Sequence, residues 1–391
     1  MEKIKVAFIT VSTEQIGPNV VILNIAKSLD RSRFEPVVVA LAGKGWGKYT
    51  KEAHDFTTKF KEADIPVHQL SLPKGLDLFL AVPRLFFLLR KIRPHVVHTH
   101  LLRSDVYGRV AAGWLKIPVV STLHNEDLWL TGKSIFDAIT RIVERWTQRY
   151  ADAYIAVASN VKDFYLAHDA SIAESKITVI NNAVDTKKYA PNAAIREEKR
   201  GELGVTNEMT VIGTTARLIE QKDPLMLLAA LEKVFKKNSL ARFFWIGEGP
   251  LRKEVEERLE KSPHKNRFVL LGQRQDVPDL LQALDIFVLS SLHEGLPMAL
   301  LEAMATGTAA VATAVSGNQV VIQSGQTGLL AKVHDAESMA ENMLQLIENS
   351  ELRKNIAEAG TKHVQTHYSL EKFGKEHQDL YDRVLTKHQL P

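Results

Sequence analysis

Residues 293–307 read HEGLPMALLEAMATG, with Glu294 and Glu302 enclosing seven residues of a segment that is otherwise almost wholly apolar. Met298, Ala299, Leu300, Leu301, Ala303, Met304 and Ala305 would cover every side of a helix, and a helix apolar all round is a buried one. A carboxylate in its middle is costly unless it is paired or hydrogen-bonded. One reading of Glu302 is a salt bridge or a partly exposed helix end; the other is an acceptor of hydrogen bonds from ligand hydroxyls. Pro297 suits the first helical turn and Gly307 its stop, which leaves Glu294 just ahead of the helix, after the apolar run IFVLSS (286–291). The segment Leu296, Pro297, Met298 and Ala299 would then offer the free N–H groups of a first turn to an anion. Diphosphate, ribose and sugar together fit such a site.

Two cations add to it. Arg217 and Lys222 stand in RLIEQKD (217–223), directly after the apolar run TVIGTTA (210–216). Alone they read as surface charges; at the end of a strand they could close on a diphosphate leaving group. His124 ends another apolar run, PVVSTLH (118–124), and reads either as a satisfied loop histidine or as a group reaching a substrate. His98 and His100, two apart in HVVHTH, would point the same way, but a metal site would need further ligands. No two aspartates in D-x-D spacing follow a strand of the second half, so no metal is expected.

The elements that must position these residues alternate. Strand candidates at 6–11, 34–40, 95–100, 118–124, 154–158 and 177–181 are separated by helical patterns such as 20–29 and 136–151. The series then restarts, with strands at 210–216, 242–247, 267–272, 286–291 and 309–315 and helices at 223–237, 276–284 and 297–306. Alternation of this kind predicts parallel sheets covered on both faces, and two series predict two doubly wound α/β domains. Their ligands would lie beyond the carboxyl ends of the strands, in a cleft if the domains face each other. The polar stretch 185–204 reads as the junction.

Bulk properties narrow the class. The chain has 391 residues, 45% hydrophobic and 25% charged, as in globular proteins. A net charge of +4 is too mild to argue for nucleic acid. Without cysteine there is no disulfide or thiolate chemistry. The opening MEKIKVAFIT reads as a buried strand rather than a signal peptide, which places the protein in the cytoplasm. The stretch LFFLLRKIR (85–93) reads either as a crossover helix packed on the sheet or as a segment resting on the inner face of an anionic membrane.

The ordered set ARLIEQKD, IGEGPLR (246–252), DIFVLSSLHEGLPMALLEAMATG (285–307) and SGQTGLL (324–330) resembles family 4 of the retaining glycosyltransferases, as do HVVHTHLLRSD (95–105), VVSTLHNED (119–127) and VINNAVDTKKY (179–189). The resemblance spans nearly the whole chain. It implies the GT-B architecture: an acceptor domain over 1–185, a nucleotide-sugar domain over 186–368 and a terminal helix over 369–391 that crosses back. The substrates implied are a nucleotide diphosphate sugar and a glycan or lipid-linked acceptor, with no cofactor and a same-face transfer in which the departing phosphate takes the acceptor proton. Carried over by position, Arg217 and Lys222 would hold the diphosphate, Glu302 the ribose and Glu294 the donor sugar. His124 would reach the transferred sugar, Gly17 would let the first loop approach phosphate, and backbone near Gln273 and Arg274 would meet the base. The chain departs from the family in two loops. Ile16 and Asn19 stand where a glycine and an acid are common, and Ser316 and Val320 where a glycine and a glutamate are. Two alternatives share the architecture: a nucleotide-sugar 2-epimerase and a non-catalytic nucleotide-sugar binder.

Overall fold

The computed structural model describes residues 2–14, 16–42, 56–72, 77–126 and 130–389; Asp127 of the VVSTLHNED stretch lies outside them. Apolar runs of β-branched residues become strands, and the amphipathic segments between them become the helices that cover the sheets. The chain forms two compact units, one running to Asn182 and resuming at Leu370, the other spanning Ala183–Ser369.

The first unit carries strands β1 (Ile4–Ser12), β2 (Phe34–Ala42), β3 (Val67–Gln69), β4 (Val96–His100), β5 (Val119–Leu123), β6 (Ala153–Ala156) and β7 (Ile177–Val179). Its helices are α1 (Gly17–Ser28), α2 (Thr57–Glu62), α3 (Asp77–Ile92), α4 (Leu102–Trp114), α5 (Ile135–Gln148) and α6 (Ser159–His168). The strands are parallel in the order β3-β2-β1-β4-β5-β6-β7. Connections run outward in both directions from the β1/β4 boundary, which is therefore the switch point where a ligand is expected. The stretch at 85–93 belongs to α3 as far as Ile92 and is a crossover helix. Leu85 and Leu89 are fully buried in the core beside Val97 and Ala111, with Phe86 and Leu88 packed against it.

The second unit contains β8 (Thr210–Thr215), β9 (Ala241–Ile246), β10 (Phe268–Gly272), β11 (Ile286–Leu289), β12 (Ala309–Thr313) and β13 (Leu329–Ala331). Its helices are α7 (Ala193–Glu202), α8 (Pro224–Lys237), α9 (Arg252–Glu260), α10 (Val277–Gln282), α11 (Met298–Ala305), α12 (Ser316–Val321), α13 (Ala336–Glu348) and α14 (Ser350–His367). The parallel order β10-β9-β8-β11-β12-β13 puts the switch point between β8 and β11. Its core joins Leu227 and Leu231 of α8, Phe243 and Trp245 of β9, and Met339 and Met343 of α13.

The boundary between units falls ahead of the polar 185–204 stretch. That stretch is not a solvated linker: α7 lies within it, and Arg196 and Arg200 both reach the Asp285 carboxylate and nearby carbonyls. The terminal helix α15 (Leu370–Gln389) belongs to the first unit, where it packs on α1. A Cβ on Gly374 would stand 2.3 Å from the Ser28 carbonyl oxygen, so only glycine permits this approach.

Candidate functional site

At the switch point of the second unit, three loops meet. The first follows β8 and carries Arg217 and Lys222. Its start is fixed by the buried Trp245, whose indole N–H donates to the Ala216 carbonyl at 2.8 Å. Backbone of the GEGP loop supports it: a Cβ on Gly247 or Gly249 would lie 2.1 Å from the Ala216 oxygen or 2.3 Å from the Leu218 oxygen. Arg217 is exposed, and Lys222 ends a 3₁₀ turn over Glu220–Lys222. Asp223, at φ 42°, turns that loop into α8. A left-handed non-glycine residue stores strain that the surrounding structure must hold.

The second loop follows β11. Gln221 donates to the His293 carbonyl at 2.9 Å, Ser290 donates to the Lys222 carbonyl at 2.6 Å, and the Leu292 N–H donates to the Gln221 carbonyl at 2.8 Å. These bonds bring Lys222 onto Glu294. The Lys222 Nζ pairs with Glu294 Oε1, which also accepts from Ser291 Oγ at 2.6 Å. The two side chains are 15% and 8% exposed, so the pair is nearly dry. An ammonium has three donors, and two remain on Lys222 for an anion.

The third loop follows β12. Thr313 donates to the Ser291 carbonyl at 2.5 Å, Asn318 Nδ2 donates to the Thr313 carbonyl at 2.8 Å, and a Cβ on Gly317 would collide with the Gly295 and Glu294 carbonyls. Gly317 thus lets the SGNQV loop lie against the Glu294 backbone. Ser316 opens α12. Val320 sits later in that helix, where its carbonyl accepts from the Tyr368 hydroxyl at 3.1 Å.

Helix α11 rises from this floor. Pro297 is its N-cap, one residue ahead of the helix proper, and Gly307 at φ 82° follows its end. No side chain caps the first turn at Met298 and Ala299, and no acid lies in it. Leu296 and Pro297 are buried, while Met298 and Ala299 are half-buried. Glu302 is also half-buried and has a partner the sequence reading did not assign: the Tyr189 hydroxyl, with Lys188 close by. Burial pushes the Glu302 carboxyl up to about 7, against the lowering effects of the Tyr189 hydrogen bond and the Lys188 charge. Burial, then Glu302 itself, drives the Tyr189 hydroxyl well above its ordinary range. Glu294 and Glu302 thus have separate partner sets, one cationic and one phenolic. Further along the same sheet edge, Arg274 is held by Asp276 at 2.7 Å and Glu202 at 2.8 Å, which raises its pKa. Its Nε and Nη2 groups are both engaged in these pairs.

In the first unit the switch point is built around Asn19. Its Nδ2 donates to the carbonyls of Ser12 and Glu14 at 2.8 and 2.6 Å, and its Oδ1 accepts from Thr10 at 2.8 Å. Asn19 therefore clamps the loop after β1. An added Cβ on Gly17 would meet nothing within 4 Å, so packing within the chain does not demand this glycine.

His124, one residue past β5, joins a histidine cluster. Its Nε2 lies 2.9 Å from His100 Nδ1, and the His98 and His100 rings stack with centroids 4.3 Å apart. His98 bonds Tyr381 of α15 and Thr122 of β5, both at 2.7 Å, and His377 of α15 lies alongside. Burial keeps all four imidazoles neutral, pulling His124 to about 3 and His377 to about 4 and the other two well below their usual value. His100 Nε2 is buried with no hydrogen-bond partner among the described residues. A bare lone pair is better tolerated there than an unmade N–H bond, which puts the His100 proton on Nδ1. His124 then accepts at Nε2 and carries its own proton on Nδ1. Leu101, next after His100, is held at φ 74°.

The chain matches two family models in succession: Glycosyltransferase Family 4 over residues 17–188 and Glycosyl transferases group 1 over residues 195–363. It is 27% identical over 354 residues to the UDP-Gal:alpha-D-GlcNAc-diphosphoundecaprenol alpha-1,3-galactosyltransferase of Escherichia coli, a match covering 90% of this chain and 89% of that protein. It is 26% identical over 355 residues to the N,N'-diacetylbacillosaminyl-diphospho-undecaprenol alpha-1,3-N-acetylgalactosaminyltransferase of Campylobacter jejuni, covering 85% of this chain and 89% of that one. The crystal structure of Anabaena HepE in complex with UDP and glucose superposes with a TM-score of 0.84 at 21% identity, over 97% of this chain and 99% of that chain. At that identity the likeness is one of fold.

Proposed function

Since the chain belongs to family 4 of the retaining glycosyltransferases, with the GT-B fold, we propose that its donor is a UDP-sugar and its acceptor a hydroxyl of a lipid-linked glycan. The enzyme transfers a sugar from a nucleotide-sugar. The finer reading draws on the two relatives, whose names carry a diphosphoundecaprenol or diphospho-undecaprenol acceptor, one of them with UDP-Gal as donor. The observation that carries the assignment of the site is the nearly dry Lys222–Glu294 pair at the β8/β11 switch point, beneath the uncapped start of α11.

In this reading the diphosphate lies between Lys222, Arg217 and the first turn of α11. The anomeric carbon–oxygen bond to the diphosphate breaks, and the acceptor oxygen bonds that carbon on the same face. The acceptor proton passes to the departing phosphate oxygen. Negative charge grows on the leaving group, where fixed cations and N–H groups lower the barrier most. Glu294 holds a hydroxyl of the transferred sugar and Glu302 the ribose hydroxyls.

The test is thermal unfolding with UDP and GDP in parallel. UDP at one hundred times its dissociation constant should stabilise by about 2.7 kcal/mol, and GDP should not. Product analysis with a UDP-sugar and no acceptor separates the remaining possibilities, because release of nucleotide with formation of a free epimerised sugar would make the protein an isomerase. Stabilisation by GDP alone would reject the UDP assignment.

A further inference from the structure

Helix α5 is amphipathic the wrong way round. Its inward face is polar: Glu144 pairs with the fully buried Arg109, Gln148 donates to Asp169 at 2.7 Å, and Thr147 is buried with them. Its outward face is apolar. Ile135 is 81% exposed, Phe136 71%, Ile139 55%, Ile142 68%, Val143 40% and Trp146 49%. The spacing 135, 139, 142, 146 keeps to one line along a helix, with 136 and 143 beside it. Isolated exposed hydrophobes are ordinary, but a contiguous stripe of six is an interaction surface. The helix does not lack order at its start: Ser134 and Asp137 form a reciprocal capping box.

Charge identifies what the stripe meets. Lys133 and Arg149 are exposed around it and Arg141 is half-exposed, while Arg145, though partly in solvent, pairs with the buried Asp169 at 3.4 Å. The Arg149 guanidinium lies over the Trp146 ring, 4.1 Å from its centroid. Between residues 130 and 150 the two acids are both engaged, Asp137 in the cap and Glu144 with Arg109. The outer face therefore presents apolar side chains, a tryptophan and cations, without an exposed carboxylate. A protein partner would have to bring its own acids and hydrophobes in register, whereas an anionic bilayer supplies both over its whole area. No helix among the described residues is long and apolar enough to cross a membrane, so the contact is one of lying on the surface.

We propose that α5 docks the protein on an anionic lipid bilayer, with Phe136, Ile139, Ile142 and Trp146 entering the interface and Lys133 and Arg149 at the headgroups. The docking rests on this helix alone. A lipid-linked acceptor, as proposed above, would be met at such a surface, but the two claims fail separately.

The experiment is co-sedimentation of the full chain with vesicles of phosphatidylcholine mixed with phosphatidylglycerol, against phosphatidylcholine alone, with no donor present. Binding is expected on the mixed vesicles and should fall in high salt. Ile139→Glu with Ile142→Glu should weaken it at least about tenfold, and Lys133→Glu with Arg149→Glu should remove the preference for phosphatidylglycerol. A second readout needs no charged variant. The tryptophan emission of the wild type should shift to the blue on mixed vesicles, and Trp146→Phe should abolish most of that shift although four of the five tryptophans remain. UDP stabilisation measured without lipid checks that every variant is folded. Loss of vesicle binding with UDP stabilisation retained supports the docking face. Absence of wild-type binding to mixed vesicles, or binding that the Ile139→Glu, Ile142→Glu variant keeps, overturns it. So does a concentration-dependent dimer that Ile142→Glu dissolves while vesicles go unbound, which would give the face to a second copy. A protein that binds vesicles but not UDP would leave the docking intact and reject the donor assignment instead.

Discussion

Glu302 stands between two protonation states near neutral pH, which makes it the residue where function should show a titration. With its carboxyl raised to about 7 by burial, the folded chain keeps a proton that the unfolded chain has already released at lower pH. This group therefore takes stability away as pH rises from the ordinary glutamate range towards 7. Its use runs the other way. A carboxylate accepts two hydroxyls only when ionised, so UDP affinity should weaken as pH drops below about 7. The diphosphate takes up protons as well, but it does so equally in every variant. Titration calorimetry with UDP on wild type and Glu302→Gln should give curves that diverge above neutrality and converge below it. Curves that run parallel across the range would remove Glu302 from the nucleotide site. Tyr189→Phe, which deletes the opposing hydrogen bond, should move the wild-type midpoint upward.

At the scale of elements, the two loops that depart from the family pattern are held by asparagines. Asn19 donates to two carbonyls at the end of β1 and just beyond it, and Asn318 does the same for one carbonyl at the end of β12. A carboxylate cannot donate, so replacing Asn19 by the acid common in the family should cost stability rather than restore activity. Asn19→Glu takes the Asn19 donor away from the Ser12 and Glu14 carbonyls and buries a charge, a loss of about 2 kcal/mol or more in urea unfolding; unchanged stability would show that the clamp is dispensable. These clamps were not legible in the sequence, where an asparagine looks the same in a turn and in a buried bond. Long apolar runs such as FEPVVVA and RFFWI, rich in β-branched or aromatic residues, were legible, because strand period and flanking turns agree. Of the three-residue edge strands, β7 was legible because it lies in the longer apolar run 177–181, whereas β3 and β13 have no such run and owe their pairing to the neighbouring strand. The stripe on α5 has a clear helical period, but which side faces inward is set by Arg109, thirty-five residues away from Glu144. Histidines 98 and 100 were seen to share a face; that His377 and Tyr381 arrive from the far end of the chain is a tertiary fact. Glu294 and Lys222 could be picked out as single residues, while their direct pairing depends on the bonds among Gln221, Ser290 and His293.

For the whole molecule, the question is what balances the charge of a departing diphosphate. A divalent metal is one solution and fixed protein charge is the other. Among the described residues, no group of three or more His, Asp or Glu side chains is placed to hold a metal ion. The positive argument lies in the second unit. Lys222 keeps two donors beyond its bond to Glu294, Arg217 is exposed on the same loop, and α11 begins without a capping side chain. Two cations and about half a charge from the helix approach what a diphosphate carries. Trp245 and the glycines at 247 and 249 hold the loop in place before reaction, so little reorganisation is needed. We therefore expect full sugar transfer in EDTA. Arg217→Ala should lower kcat/KM by about a hundredfold or more, as loss of a charged contact in the transition state does, with little change in stability because the side chain is exposed. Lys222→Ala is less clean: it also strips the buried Glu294 of its counter-ion, which costs about 3 kcal/mol or more. Lys222→Ala with Glu294→Gln separates the two effects, since stability should recover while transfer stays lost. Transfer that is abolished by EDTA and regained with magnesium or manganese would show that a bound ion, rather than these residues, takes the charge of the leaving group.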